Sequence, residues 1–161
     1  MEKPLFLKRL LLISFVIIFG LTTKINVAND MELRVNQSRE LSKKLVNSLA
    51  KILKKTIANE GPIQAILVCK QKAPELSAKL SEETGWEISR VSLKPRNKNL
   101  GIPDEWERAM LQNFDRRNKD GEITQNLEIA EYTLEADGRY FRYIKALETK
   151  PICLTCHGKV E

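Results

Sequence analysis

Five residues near the C-terminal end of the chain could form covalent bonds with a cofactor. They are Cys153, Leu154, Thr155, Cys156 and His157, and their pattern C-x-x-C-H is the attachment sequence for c-type haem. The two thiols can add to the haem vinyl groups, and the adjacent imidazole then lies beneath the iron as an axial ligand. His157 is the only histidine of the chain. The sequence therefore predicts one covalently attached haem c, with Cys153 and Cys156 as thioethers and His157 on the iron.

Two interpretations without haem exist for the same cysteines. A redox disulfide between Cys153 and Cys156 would need a thioredoxin-like βαβ context, which the surrounding sequence lacks. A structural zinc site would need four ligands, and Cys69 is the only other thiol. We favour covalent haem because neither alternative has the partners that it requires.

The third cysteine, Cys69, has two interpretations. It lies on the apolar side of a predicted helix, where a thiol often serves as a small buried hydrophobe. It could equally supply a thiolate sixth ligand opposite His157, which would lower the reduction potential and close the iron to gases. Met31, Met110 or a lysine could also fill this position, although Met110 lies on an apolar helical stripe that favours core packing. From the residues alone, both interpretations of Cys69 stay open.

The N-terminus has the layout of a secretory signal. Three basic residues, Lys3, Lys8 and Arg9, precede an uncharged apolar run. This run, residues 10–21, is shorter than the roughly 20 residues that a membrane-spanning helix needs. We expect residues 1–28 to be a signal peptide, with an uncleaved N-terminal anchor as the alternative and the only expected membrane attachment. In both cases the body of the protein is periplasmic or otherwise extracytoplasmic.

Composition and charge limit the class of protein. The 161 residues are 42% hydrophobic and 30% charged, which is typical of one folded domain and excludes a disordered chain. The net charge is +6, and without residues 1–28 it falls to +3. This modest excess argues against nucleic acid as a partner. No group of acids, bases or nucleophiles stands out, so we expect no enzymatic activity.

Two helices are predicted in the first half of the chain. Apolar residues at four-residue steps predict a long amphipathic helix over residues 30–59, ended by Gly61 and Pro62. A second helix is predicted over residues 63–80, with Pro74 starting its last turns or bending it. The long helix is either packed on its own domain or serves as a dimerisation arm or signalling connector. A second copy of the chain is therefore a candidate partner.

Strands are predicted in the second half. Residues 86–93 alternate in polarity and predict a strand, and residues 104–117 predict a helix with one apolar face. Residues 127–135 and 139–147 flank a short turn and predict a β-hairpin. Helices followed by antiparallel strands predict an α+β fold.

Several blocks of the sequence resemble a known bacterial and cyanobacterial family. They are VCKQKAP, TGWEISRVSLKPRN, PDEWERAMLQNF, FRYIKAL and CLTCHG, in this order. Over residues 60–158 the chain is similar to the single-haem c-type cytochrome domain with a PAS-like fold. The resemblance implies a PAS-like antiparallel sheet, a haem attached to Cys153 and Cys156, and axial ligation by His157 and Cys69.

The resemblance also implies a role. Domains of this family occur as extracytoplasmic sensor regions of signalling proteins, which implies redox or ligand sensing with a signalling protein as partner. A small periplasmic electron carrier with a redox partner is the alternative. Arg90, Lys94 and Arg96 are candidates for pairing with the haem propionates, the alternative being a solvated surface.

The sequence departs from the family in two respects. Lys98 and Ala146 stand where relatives have proline, which we expect a surface to tolerate. Relatives continue for some tens of residues after the CHG triplet, whereas this chain ends at Glu161. We therefore expect the sheet to lack its last C-terminal strand.

Overall fold

The computed structural model describes residues 5–95 and 99–157, with side-chain surroundings over residues 28–95 and 99–154. The chain divides into two compact units, residues 1–38 and residues 39–161. The described residues form five α-helices, one π-helical turn, one 3-10 turn and a two-stranded antiparallel sheet. The α+β class predicted from the sequence is confirmed.

Helix α1 is the long N-terminal helix and spans Leu5–Glu60. Its predicted end is confirmed, because Gly61 follows with φ 83° and its N–H donates to the carbonyl of Ile57 at 3.1 Å. It begins well before the predicted residue 30 and includes the apolar run of residues 10–21. In the second unit, Leu45 on the apolar stripe is 4% exposed. No helix of the described residues is both long and apolar enough to cross a membrane.

The predicted second helix forms in three successive segments. Helix α2 spans Pro62–Leu67, a π-helical turn spans Val68–Lys72, and helix α3 spans Ala73–Thr84. We call the middle segment the π-turn. Gly85 ends α3 in the left-handed conformation, with φ 72°.

The π-turn lies directly before Pro74. In it the N–H of Ala73 donates to the carbonyl of Val68, five residues earlier. Proline has no N–H, and in a regular α-helix its ring clashes with the carbonyl four residues before it. The wider π-turn ends where α3 begins, so Pro74 falls in the first turn of α3, where proline is tolerated. The predicted bend at Pro74 is therefore a change of helix type.

The strand predicted over residues 86–93 is wrong. This segment has no regular secondary structure. Its backbone is held by a helix and a loop instead of a neighbouring strand. The N–H of Ile88 donates to the hydroxyl of Ser81 at 3.0 Å, and the N–H of Ser92 donates to the carbonyl of Gly101 at 3.0 Å. A segment with alternating polarity forms a strand only where a neighbouring strand supplies its backbone hydrogen bonds.

Helix α4 spans Glu105–Lys119 and confirms the helix predicted over residues 104–117. Asp104 is its N-cap, and its carboxylate accepts from the N–H of Glu107 at 2.7 Å. The Glu107 side chain accepts from the N–H of Asp104 at 2.9 Å, which completes a capping box.

The strands form the predicted hairpin. Strand β1 spans Glu128–Glu135 and strand β2 spans Gly138–Lys145, with a two-residue turn between them. The sheet packs one face on α4 around a core of Phe114, Leu127 and Ile144. The apolar residues predicted on α4, including Met110, pack against this core. Among the described residues the sheet has two strands, so the PAS-like fold is present in part.

Candidate haem site

Helix α5 contains the C-x-x-C-H motif. It spans Pro151–His157, and the N–H of Cys153 donates to the carbonyl of Lys150 at 2.8 Å in its first turn. Positions 153, 156 and 157 share one face of this helix because they are spaced by three and four residues. Cys153 is half-buried and Leu154 is 37% exposed. The side chains of Cys156 and His157 lie outside those that the structure describes.

The π-turn positions Cys69. This thiol is half-buried, directly after the buried Val68 and before the exposed Lys70. Neither Cys69 nor Cys153 takes part in a disulfide. Short π-helical segments within helices occur frequently at functional sites, since they redirect the side chains that follow them. The segment IQAILVCKQKAP is therefore not one regular α-helix, and both interpretations of Cys69 stay open.

Helices α2 and α5 contact each other. They lie at opposite ends of the domain sequence, and α2 leads directly into the π-turn with Cys69. The fold thus brings the helix that precedes Cys69 to the helix of the C-x-x-C-H motif. Roles on the haem for Cys69, Cys153, Cys156 and His157 remain predictions.

One face of α2 is apolar and exposed. Ile63, Ile66 and Leu67 are 77%, 55% and 45% exposed, and their spacing by three and four residues puts them on one side of the helix. We call these three residues the apolar face of α2. An exposed apolar cluster on a helix indicates a binding surface. The faces of a porphyrin are apolar, so this surface and the neighbouring cysteines fit a haem.

Two methionines are also candidates for the sixth position. Met110 packs against the core of the hairpin and α4, which favours a packing role for this side chain. Met31 lies in the first unit, residues 1–38, and stays a candidate. Arg90 and Lys94 have exposed side chains, and Arg96 lies outside the described residues. The pairing of these three basic residues with propionates stays a prediction.

A charged cluster that the sequence did not predict ties the hairpin to α1. The carboxylate of Glu128 accepts from Arg39 Nε at 3.0 Å, from the Tyr143 hydroxyl at 2.7 Å and from Lys145 Nζ at 3.0 Å. The hydrogen bond from Arg39, with those from Tyr143 and Lys145, lowers the pKa of Glu128 to about 2. Partial burial, together with the same carboxylate, raises the pKa of Tyr143. No local pattern predicts the cluster, because Arg39 and Glu128 are far apart in sequence.

A second arginine joins the hairpin to α4. The guanidinium of Arg142 lies 4.4 Å from the ring centroid of Trp106, and it forms an ion pair with the N-cap residue Asp104. Trp106 in turn donates its indole N–H to Glu131 on β1. Strand β2 leads through five residues to α5. These contacts therefore hold in place the strand from which the chain continues into the motif helix.

The α+β fold and the family match together define a cytochrome-type domain. Residues 23–161 match the Tll0287-like family, whose members are single-haem c-type cytochromes with a PAS-like fold, and the chain belongs to this family. The match begins within α1, before the residues on which the sequence resemblance rested. No curated protein and no solved structure matches the chain. Membership of the family indicates haem c binding, and the family is not one of known enzymes.

Proposed function

We propose that the protein is an exported c-type cytochrome that binds one covalent haem and acts as a redox or signal sensor. Its thioether residues are Cys153 and Cys156, and its axial ligands are His157 and Cys69. The observation that supports this proposal best is the contact between α2 and α5, because α2 leads directly into the π-turn that contains Cys69.

The residues of the chain have distinct tasks in this site. Cys153 and Cys156 anchor the cofactor, and their helix sets the position of His157. Cys69 would supply an anionic sulfur ligand, and such a ligand would stabilise oxidised iron and so lower the reduction potential. The exposed apolar face of α2 would pack on a bound porphyrin and exclude water from it. The bound haem would supply one-electron chemistry.

Covalent attachment is tested on protein produced with a haem-attachment system. We expect a pyridine haemochrome spectrum of the c type and an intact mass that includes haem after denaturation. The variant Cys153→Ser/Cys156→Ser should lose the covalent haem. The matched control Cys69→Ser should keep it, because an axial ligand is not needed for the thioether bonds. Wild-type protein without covalent haem would contradict the proposal.

Sensing is distinguished from electron transfer by kinetics. A sensor with a thiolate ligand should have a strongly negative potential and exchange electrons slowly with a soluble c-type cytochrome in stopped-flow experiments. Fast exchange at a potential near that of the donor would favour the small electron carrier. Export is tested separately, by fractionation of the producing cells and N-terminal sequencing of the protein.

A further inference from the structure

The outer face of α1 within the second unit is strongly basic. It bears five exposed lysines and one exposed acid, Glu40, which gives this face a net charge of +4. The lysines are Lys43, Lys44, Lys51, Lys54 and Lys55. We call them the lysine row. Helical geometry places them within about one third of the helix circumference and along about 18 Å of its length.

Ion pairs balance part of the basic charge on α3 and α4. On α3, Lys79 lies near Glu83, and at the end of α4 Arg117 forms a two-bond pair with Glu122. In the row, only Lys44 forms an ion pair within the described part of the chain, with Glu83 at 3.1 Å. The other four lysines are exposed, and Glu40 is the one exposed acid on their side of the helix within the described residues.

We propose that the lysine row is a docking surface for an anionic phospholipid membrane. Lysines near such a surface contribute to binding additively and without a specific geometry, which suits a straight row on one helix. The apolar side of the helix packs on its own domain through the buried Leu45, so binding would be electrostatic and without insertion of this segment.

The composition of the face favours a membrane over an acidic protein. Protein interfaces depend on aromatic or apolar anchors at their centre. Among the described residues, no large apolar side chain is exposed between Leu33 and Ile63, so the row offers no such anchor. A lipid surface needs none. Duplex nucleic acid has the same charge, and the test therefore includes it.

The experiment uses the full chain and sucrose-loaded vesicles of phosphatidylcholine, with and without phosphatidylglycerol, at low and high salt. We expect tighter binding to the anionic vesicles than to the neutral ones, and a smaller difference at high salt. Each lysine contributes about fivefold in affinity at an anionic surface, so Lys51→Gln/Lys54→Gln/Lys55→Gln should weaken binding about a hundredfold.

The control removes the same charge from other helices. Lys79→Gln/Arg116→Gln/Lys119→Gln changes exposed residues of α3 and α4 and should bind like the wild type. Both variants keep the N-terminal residues, so any contribution of that segment cancels. Equal binding by the two variants would overturn the proposal. So would equal binding to neutral vesicles, or tighter binding to duplex DNA than to anionic vesicles.

Discussion

Pro74 follows Cys69 by five residues, and the backbone between them is wound as a π-turn instead of an α-helix. The proline explains the turn, because it can neither donate to the carbonyl of Lys70 nor fit its ring beside it in a regular α-helix. The π-turn then determines the direction in which the side chain of Cys69 leaves the helix. The orientation of the proposed sulfur ligand thus depends on a residue that does not belong to the ligand set.

Replacing Pro74 tests this dependence. Pro74→Ala allows a continuous α-helix from Pro62 to Thr84 and should rotate Cys69 relative to α3. We expect the variant to keep covalent haem but to lose part of its low-spin absorption. The matched control Pro62→Ala, at the start of α2, should leave the spectrum unchanged. A wild-type spectrum in Pro74→Ala would show that the π-turn does not direct the ligand.

Substitutions in the apolar face of α2 test whether the haem binds there. Ile66 is 55% exposed without haem, so Ile66→Asp should change the stability of the haem-free protein little. We expect the same variant to lower the yield of haem-loaded protein severalfold, because a carboxylate would face the porphyrin. Ile123→Asp is the control, since Ile123 is 59% exposed beside the hairpin. Equal haem yields in both variants would place the haem elsewhere.

The Glu128 cluster predicts a pH dependence of stability. The pKa of Glu128 is held at about 2, below its ordinary value of 4.5, so its ionised form stabilises the fold above pH 4.5. This contribution is lost as the pH falls from 4.5 towards 2. Glu128→Gln should lower the free energy of unfolding by about 1–2 kcal/mol at neutral pH, allowing for solvent screening.

The loss in Glu128→Gln should shrink towards zero near pH 2, as measured by denaturant unfolding across the pH range. The control Glu82→Gln, an exposed position on α3, should show no such trend. A constant difference between Glu128→Gln and the wild type at all pH values would mean that the cluster acts by packing alone.

We predict that the contribution of Arg142 to stability depends on its planar guanidinium group as well as on its charge. Arg142→Lys keeps the charge near Asp104 but loses the stacking on Trp106. We expect a loss of about 1 kcal/mol in the free energy of unfolding. Arg116→Lys, at an exposed position of α4, should be neutral. An equal effect at both positions would assign no special role to the stacked pair.

The sequence predicted those features that depend on neighbouring residues. The end of α1 at Gly61, the capped helix α4 and the hairpin all follow from local patterns, and the structure confirms them. The strand over residues 86–93 failed because a strand depends on a distant partner. The Glu128 cluster was not predicted for the same reason, since its arginine lies on α1. The π-turn was indicated only as a bend at Pro74.

The central claim is that Cys69 is the sixth ligand of a covalently attached haem. The most direct measurement is the electron paramagnetic resonance spectrum of the oxidised protein, compared between the wild type and Cys69→Ala. The account predicts a low-spin, thiolate-ligated signal in the wild type and its loss in Cys69→Ala, together with new binding of carbon monoxide to the reduced iron. An unchanged low-spin signal in Cys69→Ala would contradict it.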